Sequence, residues 1–313
     1  MYEKKFEIEL KENCNYVIQL SPSDDKVFFS LNEKGYIIPK EDFLSLNEKT
    51  LNNNKSKNIE FDDTIACARF SSDNNIIISD LTKAIEKCDF SQNIDSENND
   101  EGNGEKKIAR EGINLSNIRT TKFELDTGRG ILVTGGFNIF LYDYINNKVI
   151  NEIENKSKFL YSYCFLPNNK LATGNSIGGI SIYNMDNCVK ESKIEQHCLL
   201  VRNMALNKNK NILYSASDDL HINQIDLNTL NLNYPLVGHK EPITKMIYNE
   251  NKNIMVTSSF DGTIKIWDIK GKNNCIETLE SKNKNPIWDM SLSSDASLIC
   301  YIGNENMGAF LLK

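Results

Sequence analysis

The sequence predicts an all-β chain that folds as one seven-bladed β-propeller of four-stranded sheets across residues 1–313. Three observations carry that expectation. Short apolar runs such as Lys26–Ser30, Asn75–Ser79 and Gly130–Thr134 recur between clusters of Asn, Asp and Gly. That is the pattern of strands separated by tight turns, and helical periodicity is nearly absent. Each run ends in a small residue that opens a polar turn: Ser30, Ser79, Gly135, Gly174, Ser217, Ser259 and Gly303. These seven anchors are separated by 49, 56, 39, 43, 42 and 44 residues, close to the roughly 40 to 45 residues of one propeller blade.

The two long separations have local causes. The first contains Leu51–Lys57 and the second contains residues 91–112, where Asp95, Glu97, Asp100, Glu101, Glu105 and Glu111 stand among Lys106, Lys107 and Arg110. With almost no apolar side chains, 91–112 is expected to be a disordered acidic insert. The last repeat offers only three strands, Pro286–Leu292, Ser297–Gly303 and Met307–Leu312. Residues 2 to 10 supply a fourth, because Phe6, Ile8 and Leu10 alternate with charged neighbours as a half-buried strand requires. Donated to the last blade, that strand would close the ring and remove an exposed sheet edge.

Composition narrows the function. The chain has 36 basic and 43 acidic side chains and a formal charge of -7, which argues against dominant binding to nucleic acid or anionic lipid, both of which need a basic surface. No apolar run approaches the ~20 residues of a membrane span, and Lys4, Lys5, Glu7 and Glu9 occupy the place of a signal peptide's apolar segment. A soluble intracellular protein, cytoplasmic and also nuclear, is expected. The eight cysteines form no C-x-x-C pair, so neither a metal nor a disulfide framework is expected. Asn makes up about one residue in seven, well above an average composition; an A+T-rich genome accounts for this without a functional role.

One repeat is explicit. Gly238-His239 is followed by Met255 through Ser259, then Asp261-Gly262 and Trp267-Asp268. This run resembles the WD-repeat β-propeller family, with its Gly-His opening and its Asp-Gly and Trp-Asp close. His239 precedes Asp261 by 22 residues and His197 precedes Asp219 by the same 22. His, Asp and a strand hydroxyl invite comparison with a hydrolase triad, but no nucleophile elbow, Gly-rich phosphate loop or metal-ligand spacing accompanies them. The resemblance implies instead that His239, Thr257, Asp261 and Trp267 form a structural hydrogen-bond network, with His197 and Asp219 as its counterpart. No catalytic residue and no cofactor is expected.

In this family the side chain that begins each innermost strand points to the rim of the central opening. Counting back from the anchors gives Tyr16, Ala66, Arg119, Tyr161, Arg202, Thr244 and Trp288. Five are Tyr, Arg or Trp, the types enriched at interface hot spots. The expected partner-binding residues are therefore Tyr16, Arg119, Tyr161, Arg202, Thr244 and Trp288. The alternative is that the aromatics cap the core and the arginines pair with the abundant carboxylates.

A further resemblance lies in the middle of the chain, in Lys158–Ser162, Leu166–Gly174 and Ile180–Tyr183, and in the pair Ile287-Trp288 near the end. These are similar to the WD-repeat subunit of the Ski complex, which in some lineages also belongs to the Paf transcription elongation complex. The resemblance is best from about residue 130 onward. It implies a noncatalytic adaptor, monomeric within a hetero-complex, that joins a helical-repeat scaffold to a helicase and assists exosome-mediated RNA decay without itself touching nucleic acid. A ubiquitin-ligase substrate receptor and a histone-tail reader would use the same face.

Overall fold

The structure is a computed structural model that describes residues 1–10, 17–47, 57–61, 64–71, 75–80, 85–89, 109–113, 122–155, 158–270 and 274–313. Seven four-stranded antiparallel sheets make up almost all of it. Blades 1 to 6 cover residues 18–60, 65–113, 123–153, 160–195, 201–237 and 243–280, each in simple up-and-down order from the innermost strand outward. Blade 7 takes Ile287–Leu292, Leu298–Gly303 and Asn306–Leu312, and its outermost strand is Tyr2–Glu9. The innermost strands touch one another in sequence around the ring, and that of blade 7 meets that of blade 1.

The reason for the continuous apolar runs lies in the wedges between blades. Successive side chains of a strand point to opposite faces, and here both faces are buried. In blade 6, Met255 packs with Tyr214 and Ile243 toward blade 5, whereas Val256 packs with Ile287 and Ile299 toward blade 7. Seven apolar clusters result, one at each interblade junction. Strands in such a place read as unbroken apolar runs rather than as alternation.

The strand Tyr2–Glu9 runs antiparallel to Asn306–Leu312, from Tyr2 opposite Leu312 to Glu9 opposite Asn306. Side-chain contacts strengthen the closure. The nearly buried Glu7 carboxylate accepts the Lys282 amide at 2.7 Å, the Asn306 side-chain amide at 2.7 Å and the Lys4 ammonium at 2.7 Å. These donors hold its carboxyl below the usual glutamate range although burial opposes them. Tyr2 donates its amide to Glu277 of blade 6 at 2.9 Å and its hydroxyl to the Ala296 carbonyl. On the other side, Phe43 of the short helix Lys40–Leu44 meets Phe6 edge-on at 5.1 Å.

Two differences from the sequence expectation concern blade 2. Residues 91–108 lie outside the described residues, and 109–112 are not part of a disordered insert: Ala109–Ile113 is the outer strand of blade 2, paired with Ile85–Asp89. The blade needs a fourth strand, and backbone pairing supplies it whatever the local composition. The helix Lys40–Leu44 was likewise not foreseen, because five residues are too few for a period to show.

Deleting residues 1–10 should lower the melting temperature by at least about 4 °C. Losing the burial of Ile8 and Tyr2 alone forfeits about 1.5–3 kcal/mol each, and each kcal/mol is worth about 1.5 °C at this size. Differential scanning calorimetry checks it; an unchanged transition would show that the ring closes without this strand.

Candidate protein-interaction face

The rim positions arise from a backbone device. At the start of five innermost strands one residue is skipped in the ladder: Ala66, Tyr161, Arg202, Thr244 and Trp288 each sit between two residues that pair normally. A β-bulge of this kind bends the strand and re-aims a side chain. The structure thus gives these five residues one equivalent place. Tyr16 and Arg119 lie outside the described residues.

Three of the five come together. The Arg202 guanidinium lies 5.9 Å from the Tyr161 ring centroid and 5.4 Å from that of Phe260, and Phe260 meets Trp288 edge-on at 4.6 Å. Arg202 is held in place by a two-point pair with Asp218, through Nε to Oδ1 and Nη2 to Oδ2, the latter at 2.9 Å. Trp288 donates its indole N–H to Asn304 at 2.7 Å and stays 36% exposed. Thr244 is different. It is buried, and its hydroxyl binds the Ile287 carbonyl at 2.8 Å and lies 3.0 Å from the Ser258 hydroxyl, so it ties blade 6 to blade 7 instead of facing a partner.

Phe260, Asp218 and Asn304 were missed in the sequence although a simple signal marks them. Each directly follows an anchor, and each lies 16 residues after the rim residue of its own blade. Asp218 and Asn304 bind that residue; Phe260, across from the small Thr244, bridges Arg202 and Trp288 instead. Exposed Phe137, Ile177 and Leu199 lie in the turns and connections of blades 3 to 5 that share this end of the barrel. Backbone bonds tie those segments together, as in Ser176 N to Phe159 O at 3.0 Å and Asp218 N to Leu200 O at 3.0 Å.

Lys122 was also missed. Its ammonium donates to the Arg202 carbonyl at 3.2 Å and lies 4.3 Å from the Tyr161 ring centroid. Burial pushes it down to about 7, and the nearby cations Lys245, Arg69 and Arg202 push the same way. Lys245 pairs with Asp289 at 3.2 Å and Arg69 with Glu124 at 3.5 Å.

The His–Asp pairs lie in the walls of blades 5 and 6. Trp267 Nε1–H donates to Thr257 Oγ1 at 2.9 Å, Thr257 lies 2.8 Å from His239 Nε2, and His239 Nδ1 lies 3.0 Å from Asp261 Oδ2. Only one direction satisfies every group: Thr257 donates to Nε2 and Nδ1–H donates to Asp261. The imidazole is therefore neutral, and burial pushes its pKa down. Asp261 also accepts the Lys240 amide at 2.9 Å and the Thr263 amide at 2.9 Å, which clamps the outer connection to the turn. Gly262 needs its φ of 74° there, since a Cβ would lie 2.4 Å from the Lys284 backbone. In blade 5, His197 lies 2.8 Å from both Asp219 and Ser215. Both imidazoles are wholly enclosed, so neither reaches a substrate. Among the described residues no cluster of His, Cys, Asp or Glu is arranged to hold a metal, and no helix is long and apolar enough to cross a membrane.

Residues 230–268 match the WD domain, G-beta repeat family. The F-box/WD repeat-containing protein sel-10 of Caenorhabditis elegans is 33% identical over 116 residues, covering 36% of this chain and 19% of that protein. COMPASS component SWD3 of Saccharomyces cerevisiae is 29% identical over 90 residues, 28% of each chain. The target of rapamycin complex subunit wat1 of Schizosaccharomyces pombe is 22% identical over 199 residues, 58% of this chain and 62% of that protein. The chain spans less than a third of the length of the first two relatives. The chain is a seven-bladed propeller in which residues 230–268 match the WD repeat.

Replacing Asp261 by Ala should leave the enclosed His239 N–H without its acceptor and lower stability by about 1–3 kcal/mol, measured as a shift of the urea midpoint. Acid should act on the same pairs. Hydrogen bonds from His197 and the backbone, working against burial, hold Asp219 down to about 2, below its unfolded value, so its contribution is present above about pH 4 and is lost as pH falls toward 2. Asp219→Asn should flatten the stability curve over that interval.

Proposed function

We propose that this chain is a noncatalytic adaptor that holds a partner protein on the face carrying Tyr161, Arg202, Phe260 and Trp288, and that it is the WD-repeat subunit of a Ski-type complex. In that role it joins a helical-repeat scaffold to a helicase, assists exosome-mediated RNA decay in the cytoplasm, and has a nuclear pool in lineages where it also serves the Paf complex. The observation that carries the interaction face is the row Tyr161–Arg202–Phe260–Trp288. One guanidinium lies between two rings and a third ring stays open to solvent beside it. Aromatic and Arg side chains fixed in this way combine large contact area with little remaining freedom to lose on binding. The assignment to a Ski-type complex is supported by the sequence resemblance in blade 4 and at Ile287-Trp288. A second reading, capture of a degradation signal by a ubiquitin-ligase receptor, is favoured by the likeness to an F-box/WD protein. A third, a histone-tail reader, is favoured by the likeness to a COMPASS component.

Affinity purification of the tagged chain from its own cells distinguishes these. A helical-repeat protein and a helicase should co-elute in near-stoichiometric amounts; co-elution of ubiquitin-ligase or chromatin subunits in their place would overturn the Ski-type assignment. Trp288→Ala should weaken binding of the scaffold about thirtyfold, the equivalent of about 2 kcal/mol, with an unchanged circular dichroism spectrum. Wild-type affinity in folded Trp288→Ala and Arg202→Ala variants would remove the interface from this face.

A further inference from the structure

The junction between blades 4 and 5 lacks a bridge that its neighbours have. Met185, Leu227 and Ile269 stand 42 residues apart, and each directly follows the third strand of its blade. Each donates its amide to an asparagine carbonyl of its own blade, to Asn169 at 2.9 Å, Asn211 at 2.9 Å and Asn253 at 3.2 Å, so the three backbones are held alike. In two of them the residue's carbonyl accepts a side chain from the preceding blade: Asn151 Nδ2 donates to Met185 at 3.3 Å and Lys210 Nζ to Ile269 at 3.2 Å. Those carbonyls face the preceding blade, and Leu227, held in the same way, turns its own toward blade 4. At that junction both donors are shortened. Ser192 takes the place of Asn151, the two pairing with Ile182 and Leu141 at the same step beside a bulge. Asn168 takes the place of Lys210, 42 residues earlier. Among the described residues none donates a hydrogen bond to the Leu227 carbonyl.

A cleft of about 310 Å³ lies there, between Leu166 and Ser192 of blade 4 and Leu227 and Leu230 of blade 5. That is near the lower end of the volumes that hold small ligands. Met185 and Ile269 are buried in their junctions, whereas Leu227 and Leu230 stay partly exposed against the core of theirs. The cleft sits at the opposite end of the strands from Tyr161, because Leu160–Leu166 starts at the one and finishes at the other.

We propose that this cleft takes an uncharged, extended peptide segment of a partner, which gives a backbone N–H to the Leu227 carbonyl and lays one branched apolar side chain against Leu166, Ile182 and Leu230. The segment supplies what Asn151 and Lys210 supply on either side, a donor carried on a body that fills the wedge. Among the described residues that line the cleft, the two charged groups, Lys170 and Glu191, satisfy each other at 2.7 Å. The rest of its polar rim is Asn and Ser, with Asn211 donating to Asn228 at 2.8 Å. A carboxylate or an ammonium placed there would give up its water without a free counter-charge, whereas a peptide group presents the donor and the acceptor that side-chain amides pair with. The site does not depend on the face carrying Trp288, and two sites at opposite ends let one propeller hold two chains at once.

The test uses the full chain with 13C-labelled Leu and Ile methyl groups and, as probe, N-acetyl-leucine methylamide. In the millimolar range the probe should shift the methyl signals of Leu166, Ile182, Leu227 and Leu230 together. The analogue methylated at both nitrogens has no N–H to give and should bind about fivefold more weakly. N-acetylglycine methylamide, without the apolar side chain, should bind at least about tenfold more weakly. N-acetyl-leucine and leucine methylamide, anionic and cationic at about pH 6, should both bind more weakly than the neutral probe. The decisive variants restore the bridge. Ser192→Asn and Asn168→Lys should each abolish the response with an unchanged circular dichroism spectrum, and Ser192→Ala should leave it in place. Trp288→Ala should leave it in place as well, which separates this site from the aromatic face. The proposal is overturned if both bridge-restoring variants, folded, bind the probe as the unsubstituted chain does, if a charged analogue binds more tightly, or if the probe shifts none of the four methyl groups. It is also overturned if those methyl signals move with protein concentration and without probe, since a second copy of the chain would then be the occupant.

Discussion

The inner strands of each blade are buried on both sides, and no blade can satisfy that requirement alone. Leu213 and Ile225 of blade 5 turn toward blade 4, while Tyr214 and Ile222 turn toward blade 6. Each blade is half of two cores. A linear stack would leave a bare apolar face at each end, whereas a ring leaves none. The ring therefore follows from the burial pattern, and the central opening follows from the ring. Side chains freed from packing lie along the outermost strands, such as Leu232–Val237, and at the ends and lining of the opening, so a bulge at the start of an innermost strand re-aims one of the few side chains that reach the opening.

Dry wedges impose a second condition, since a polar group placed there must find a partner. Blades 5 and 6 meet it with the His–Asp pairs, and Trp267 extends the chain of donors in blade 6. In blade 4 the position 42 residues before His197 is Asn155, whose amide turns to the Lys158 carbonyl at 2.8 Å. The hydroxyl of Thr173, equivalent to Ser215 and Thr257, is left buried without a hydrogen bond. Degeneration of the repeat thus has a physical trace as well as a sequence one. Where blade 4 carries Asn155 in place of a His, the Thr173 hydroxyl has no hydrogen bond.

The repeat count was legible because turn chemistry and apolar runs are local, and the seven anchors fall in seven blades. The bulged position near the start of an innermost strand lies at a fixed distance from its anchor, which is how Tyr161, Arg202 and Trp288 were reached by counting. What counting could not reveal was contact between blades. Lys122 meets Tyr161 and Arg202 from 39 and 80 residues away, and nothing near Lys122 in the sequence marks that meeting. Thr244 shows the converse: its position was foreseeable, but its direction depends on Ser258 and on the Ile287 carbonyl of the next blade. Blade 2 was obscured because its outer strand, Ala109–Ile113, follows a long charged stretch and carries the mixed sequence AREGI.

The pairing of Tyr2 with Leu312 has a consequence for how the molecule is made. A ribosome releases residues 2–9 some 300 residues before residues 306–312, at about 5–20 residues per second. For that interval, tens of seconds, the first strand has no partner, and blade 1 lacks the blade 7 side of its apolar wedge. Folding cannot run to completion from one end of the chain to the other. Blades 2 to 6 can assemble in order on their predecessors, but the last junction waits until residues 306–312 are made and then brings together contacts some 300 residues apart, the slowest kind to form. The unclosed intermediate exposes an apolar sheet face at each end of an open arc, so the newly made chain is the species most in need of a chaperone.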